Sequence, residues 1–210
     1  MQITERSTML TDYLLAFVIL VLSGRLFGLN QTERQRSIQL WNFGFVATAL
    51  AALLGGTSHG FALYLNAFTK AAIWKGTVYA IGFASFFLLA GTIIASVNHP
   101  LRRWLLLFTT MKLLIYAGWM LTHDDFSYVI YDYVPSMVGV ILLQFYAYVK
   151  RRNRSAVWLI SGVLVSFASA GIQMSGFGLH EHFNHNDLYH VVQMGAMYLL
   201  YRGIRLLRDR

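Results

Sequence analysis

Cysteine is absent from the chain. That removes disulfides as a clue to compartment and excludes thiolate metal sites of the zinc-finger kind. Any metal must therefore be held by His, Asp, Glu or Asn. Charge is scarce too: 12% of the residues are Asp, Glu, Lys or Arg and 57% are hydrophobic. A soluble domain carries about twice that charged fraction. So apolar a chain cannot cover itself with polar surface, and a mean hydropathy of +0.52 makes the bilayer its natural solvent. Only two prolines occur. Pro100 opens a span, where a missing N–H costs nothing, and Pro135 lies inside another and is expected to kink it. No soluble domain, low-complexity linker or internal repeat is evident.

What is present is a series of apolar stretches, at 10–29, 38–66, 72–97, 101–121, 127–149, 155–176 and 187–206. Each has about the 20 residues a helix needs to cross the hydrocarbon. The expected fold is therefore an all-α integral membrane bundle of about seven transmembrane helices, a single domain over residues 1–210. Asp12 opens the first stretch and no small-residue cleavage site follows, so it reads as a retained helix, not a signal peptide. Small residues (Gly55, Gly56, Gly60, Ser161, Gly162, Ser166, Ser169) permit close helix packing.

The net charge of +8 does not point to nucleic acid, because the basic residues lie in short runs between apolar spans. Thirteen of the 17 fall on one side of a seven-span layout: Arg25, Arg34, Arg36, Arg102, Arg103, Lys150, Arg151, Arg152, Arg154, Arg202, Arg205, Arg208 and Arg210. The positive-inside rule then places the N-terminus outside and the C-terminus in the cytoplasm. Compactness points to a bacterial cytoplasmic (inner) membrane, with the site facing the outside or periplasm.

The same layout sorts the other ionisable groups. Six of the seven histidines and seven of the nine acids gather at the outer side. His59 ends span 2, and His123, Asp124 and Asp125 form the loop before span 5. Asp132 lies just inside span 5, and His180, Glu181, His182, His185 and Asp187 precede or open span 7, where His190 follows. Histidine played no part in placing the spans, so the gathering is separate information. Three imidazoles around zinc leave a fourth position for water. His59 and His190 are expected at matching depth, with His185 or His182 as third ligand. Residues 185 and 190 are about 140° apart on a helix, so if both bind one ion His185 must lie before the helix proper, on a cap-like turn. Asn186 and Asp187 suit such a helix start. Lys112, in mid-span, is expected to snorkel or to pair with Asp132. Asp124 and Asp125 read as a solvated loop.

Seven spans, His59 within Gly55-Gly56-Thr57-Ser58-His59 and the Tyr189-His190 step together resemble the alkaline ceramidase superfamily, which includes the progestin and adipoQ receptors. The resemblance covers the whole chain topologically, through motifs only a few residues long. It implies a seven-helix membrane hydrolase whose zinc is held by one histidine on helix 2 and a pair four apart on helix 7. Asn186 stands where the first of that pair would be, Gly55 replaces the family's serine one turn before the helix 2 histidine, and Lys75 stands where an aspartate would open span 3.

The reading that follows is a metal-dependent membrane hydrolase acting on a lipid amide or ester at the outer face. Zinc would be held by His59, His190 and His185, with His182 as alternate. Asp12 or Asp187 would act as general base, Ser58 would stand beside His59, and the substrate would be a membrane lipid held in the helix bundle. The alternatives are a non-enzymatic receptor-like or envelope-assembly protein and, third, a small transporter.

Overall fold

The computed structural model describes residues 3–180 and 182–210, and Glu181, expected in the histidine-rich loop, lies outside them. The described residues form seven α-helices: α1 (Arg6–Glu33), α2 (Arg36–Phe61), α3 (Ala67–Ser96), α4 (Leu101–Trp119), α5 (Ser127–Arg151), α6 (Ser155–Ser175) and α7 (His185–Ile204). Each overlaps one apolar stretch of the sequence. Five of them (α1, α2, α3, α5 and α6) are long and apolar enough to cross a membrane. α4 and α7 are shorter, with 19 and 20 residues, and each carries polar or charged groups along its length.

Six helices form a closed ring, α1–α2–α3–α5–α6–α7 and back to α1, while α4 packs outside it against α3 and α5. The apolar core lies within the ring, where Ile19, Trp41, Phe45, Leu159 and Leu200 are sealed from solvent. Large apolar side chains are exposed on every helix, from Phe17 on α1 to Val191 on α7, as expected of a bundle whose surroundings are as apolar as its core. α4 is the extreme case, with Thr109 and Tyr116 as its only buried residues.

Glycines let the ring close tightly. A Cβ at Gly60 would come within 2.2 Å of Met9 Sδ, and one at Gly56 within 2.9 Å of the Tyr13 ring. α1 can therefore lie directly on α2. The α6–α7 contact is reciprocal: Gly162 receives Leu200 and Gly203 receives Leu159, each with a neighbouring backbone nitrogen about 3 Å from the missing Cβ.

The two ends of the bundle differ in chemistry. At the arginine-rich end the tail after α7 folds back, and Asp209 accepts hydrogen bonds from the amides of Arg36 (2.6 Å) and Ser37 (2.9 Å) at the start of α2. Arg208 pairs with Glu33 at 3.2 Å. At the histidine-rich end, residues 4 and 5 run along the end of α2 through Thr4 N–H to Gly60 O and Glu5 N–H to His59 O.

Candidate functional site

Asp12 lies about two turns into α1, facing α2 and α7. It is 5% exposed, and Gly55 faces its carboxylate at 3.5 Å, measured from where a Cβ would stand. Burying a carboxylate at this depth requires a partner, and the partner is His190, also 5% exposed. Its Nε2 lies 3.0 Å from Asp12 Oδ1. The other ring nitrogen, Nδ1, lies 2.9 Å from Thr11 Oγ1. Thr11 Oγ1 is in turn 3.3 Å from Asp187 Oδ1, and Asp187 is fully buried. A continuous polar chain thus runs Asp12–His190–Thr11–Asp187 across the α1–α7 contact.

The start of α7 fixes this geometry. Asn184 is its N-cap and accepts from the amides of Asn186 (2.8 Å) and Asp187 (3.2 Å), while Asp187 Oδ2 accepts from the Asn184 amide (2.9 Å). This reciprocal capping box ties down the first turn. Asp187 and His190 are three apart, so both face α1. Asn184 Nδ2 also reaches Thr8 Oγ1 at 3.3 Å, joining the cap to α1. An open cleft of about 490 Å³ lies beside it, lined by Ile3, Thr4, Glu5, Arg6, Ser7, His182 and Asn184.

Proton counting shows what the chain can do. Thr11 has one hydroxyl proton and three neighbours able to accept it: the Thr8 carbonyl (3.1 Å), Asp187 and His190 Nδ1. When Thr11 donates to His190, Nε2–H donates to Asp12. When Thr11 donates elsewhere, Nδ1–H donates to Thr11 and the Nε2–Asp12 contact needs a second proton. The second pattern holds one proton more than the first, so the line can take up or release a proton, which is the capacity of an acid–base site.

Of the residues expected to act, Asp12, Asp187 and His190 come together. His59 does not sit at the depth of His190. Its Nδ1 pairs with Glu5 Oε2 at 3.0 Å, half exposed at the rim, whereas the α2 residue level with the Asp12–His190 pair is Gly55, four residues deeper. Four helical residues amount to about 6 Å. His185 is the first residue of α7, inside the helix and not on a turn before it, because Asn184 provides the cap in place of Asn186 and Asp187. His182 lies in the loop, its amide bonded to His180 Nδ1 at 3.1 Å. Ser58 stands in α2 beside His59, and no hydrogen bond joins it to Asp12 or His190. Among the described residues, no three His, Asp or Glu side chains are grouped so as to hold a metal ion. Among the described residues His59, His190 and His185 or His182 are not grouped together.

Sequence reasoning missed Thr11, Thr8 and Asn184. Threonine in an apolar helix carries little signal, but the Asn184-x-x-Asp187 spacing is a capping-box signature and was readable.

A second polar cluster joins α3, α4 and α5. Lys112 Nζ forms an ion pair with Asp132 Oδ1, as expected, and donates to Ser85 Oγ at 3.3 Å. Ser85 donates to Ser136 at 2.9 Å. Asp132 Oδ2 is buried without a partner among the described residues. In the neighbouring loop Asp124 pairs with Lys75 at 2.6 Å, and the Ser127 amide and hydroxyl hold the exposed Asp125 carboxyl below its ordinary range. Those two acids belong to the loop, not to the buried pair.

Fold and site together define a helical, multi-pass membrane protein with a buried carboxylate–imidazole pair between its first and last helices. The chain belongs to the family of unknown function DUF6962, which matches residues 7–209. Comparison with curated proteins and with solved structures returns no match.

Proposed function

We propose that this protein is a membrane hydrolase that cleaves the ester or amide bond of a lipid at the outer membrane face, with Thr11, His190 and Asp12 as its reacting group. In this reading all seven helices span the bilayer and the arginine-rich end is cytoplasmic. The supporting observation is the hydroxyl–imidazole–carboxylate line, with Thr11 Oγ1 at 2.9 Å and Asp12 Oδ1 at 3.0 Å from opposite nitrogens of one ring. The order of groups is that of a nucleophile, a general base and an orienting acid, recognised by geometry and not by sequence position. The two ring nitrogens exchange roles relative to the usual arrangement, which leaves the logic unchanged.

In the first step Thr11 Oγ1 attacks the acyl carbonyl while its proton passes to His190 Nδ1. Asp12 holds Nε2–H and balances the imidazolium charge. His190 then gives the proton to the departing alcohol or amine, leaving an acyl ester on Thr11. Water enters, loses a proton to His190 and releases the fatty acid, and Thr11 recovers its hydroxyl proton. Asp187 and the Asn184 cap hold Thr11 and the first turn of α7 in place.

The test is turnover of fatty acyl esters and amides by purified protein in detergent. Thr11→Val is expected to lower turnover by about 10³-fold or more, and Thr11→Ser to retain most of it. Unchanged turnover in Thr11→Val, or no hydrolysis by the wild type across ester and amide lipids, would sink the proposal.

A further inference from the structure

A short polar stretch separates the apolar runs of the first two helices. Apolar residues end at Leu29 on α1 and resume at Ile38 on α2. Both helices are long and apolar enough to cross a membrane, so the turn between them stands just past the hydrocarbon. This turn holds a cleft of about 270 Å³, lined by Asn30, Gln31, Arg34, Gln35, Arg36 and Gln39. Among the described residues no acid lines it. Asn30 and Gln35 are tied into the fold. The Gln35 amide donates to Asn30 Oδ1 at 2.8 Å, Gln35 Nε2 donates to the Glu33 carbonyl at 2.9 Å, and the Asp209 amide donates to Gln35 Oε1 at 2.7 Å.

The other four lining side chains are unengaged. Among the described residues Gln31, Arg34, Arg36 and Gln39 make no side-chain hydrogen bond or ion pair, and all four are exposed. The nearby acids that could neutralise the arginines are already taken. Asp209 accepts from the amides of Arg36 and Ser37, and Glu33 pairs with Arg208 at 3.2 Å. Two positive charges therefore line one cleft without a counter-charge, and their mutual repulsion is relieved when an anion enters.

A guanidinium meets a phosphate through two parallel N–H···O bonds, and the Gln31 and Gln39 amides supply further donors. The cleft is smaller than the about 300–1,000 Å³ of sites that enclose a drug-sized ligand, so it suits one small charged group. Apolar surface continues from it along the same helix faces. Phe27 shares a face with Gln31 and Arg34 on α1, and Phe43 shares one with Gln35 and Gln39 on α2; both rings are exposed. Donors at the bilayer edge beside an exposed apolar track match a phosphate attached to acyl chains. We infer that Arg34 and Arg36 bind a phosphate group in this cleft, and the track favours one carried by a membrane lipid over free phosphate. The site lies at the opposite end of the bundle from Thr11, Asp12 and His190, and makes no use of the hydrolase reading.

The experiment titrates the full chain, purified in detergent, with phosphatidylglycerol and counts bound lipid by native mass spectrometry. Diacylglycerol serves as the lipid without a phosphate, and inorganic phosphate, alone and as competitor, forms a second arm. Arg152 is the control. It is exposed and left-handed at the end of α5 (φ 54°), as Arg34 is at the end of α1 (φ 51°), but it lies outside the cleft. Arg34→Gln and Arg36→Gln are each expected to weaken the tightest phosphatidylglycerol site by about tenfold, and Arg152→Gln by less than about twofold. Neither guanidinium of the cleft has a partner to lose, so both variants should melt at the wild-type temperature. Lipid binding that inorganic phosphate does not displace would assign the site to a headgroup. Binding of inorganic phosphate alone, with the same dependence on Arg34 and Arg36, would keep the site and make free phosphate its ligand. Equal weakening by all three substitutions would overturn the inference, because the positive surface would then act as a whole. So would equal affinity for diacylglycerol and phosphatidylglycerol, unchanged binding in both cleft variants, or a fall in Tm that accounts for their lost affinity.

Discussion

His190 and His59 illustrate how far burial separates two side chains of one kind. Both lie on apolar helices near the same end, and in the sequence nothing distinguishes them as candidates. In the structure His190 is enclosed between two helices with both nitrogens engaged, while His59 meets a half-exposed Glu5 at the rim. Exposed ion pairs contribute little, because water screens them. His190→Ala is therefore expected to reduce lipid turnover by about 10²–10⁴-fold, and His59→Ala by less than about tenfold. Steady-state kinetics of the two variants at neutral pH would check this, and equal losses would put His59 in the reacting group. Asp12 and Asp187 were legible as candidates because ionisable residues in apolar spans are rare. Thr11 was not, since a hydroxyl in a membrane helix is common and usually bonds its own backbone, as Thr11 also does with Thr8.

Hydropathy located the helices well at the scale of the element, because crossing an apolar layer demands a long uninterrupted run whatever the tertiary fold. It said less about their ends. The start of α7 depends on one local device, the Asn184–Asp187 box. Asn184→Ala is expected to cost about 1 kcal/mol of stability and, by loosening Asp187 and Thr11, to lower turnover more than it lowers Tm. Thermal melts read beside activity would show the disproportion. α4 is attached differently. With two buried residues, it depends on polar ties such as Lys112–Asp132 and Tyr116 to Val78 O. Lys112→Met strands a buried carboxylate, which costs about 3–5 kcal/mol, and the double variant Lys112→Met/Asp132→Leu should recover most of that loss. Chemical denaturation of the two variants would test it. The ion pair was foreseeable from the sequence, because two opposite charges in neighbouring spans have few other ways to be buried. The isolation of α4 outside the ring was not, since exposed apolar faces look alike whether they meet lipid or protein.

For the whole molecule, ring closure joins helices that are far apart in the chain. α6 and α7 interlock through Gly162 and Gly203, and α7 meets α1. Gly162→Ala would press a methyl into Leu200 and its backbone nitrogen, an overpacking that typically costs about 1–3 kcal/mol. A drop in Tm with little change in the turnover of the folded fraction is the expected result. The sequence could order the helices along the chain but not around the ring, because their circular order is set by which small residues accept which large ones.

Thr11 and Asp12 on α1 are made before His190 on α7, with five helices between them. Until α7 is in place the two halves of the site are apart, and neither half can move a proton to the other. On the proposed hydrolase reading, a chain stalled before α7 would carry the hydroxyl and the carboxylate but no base, and an unfinished copy left in the bilayer would be harmless to the lipids around it.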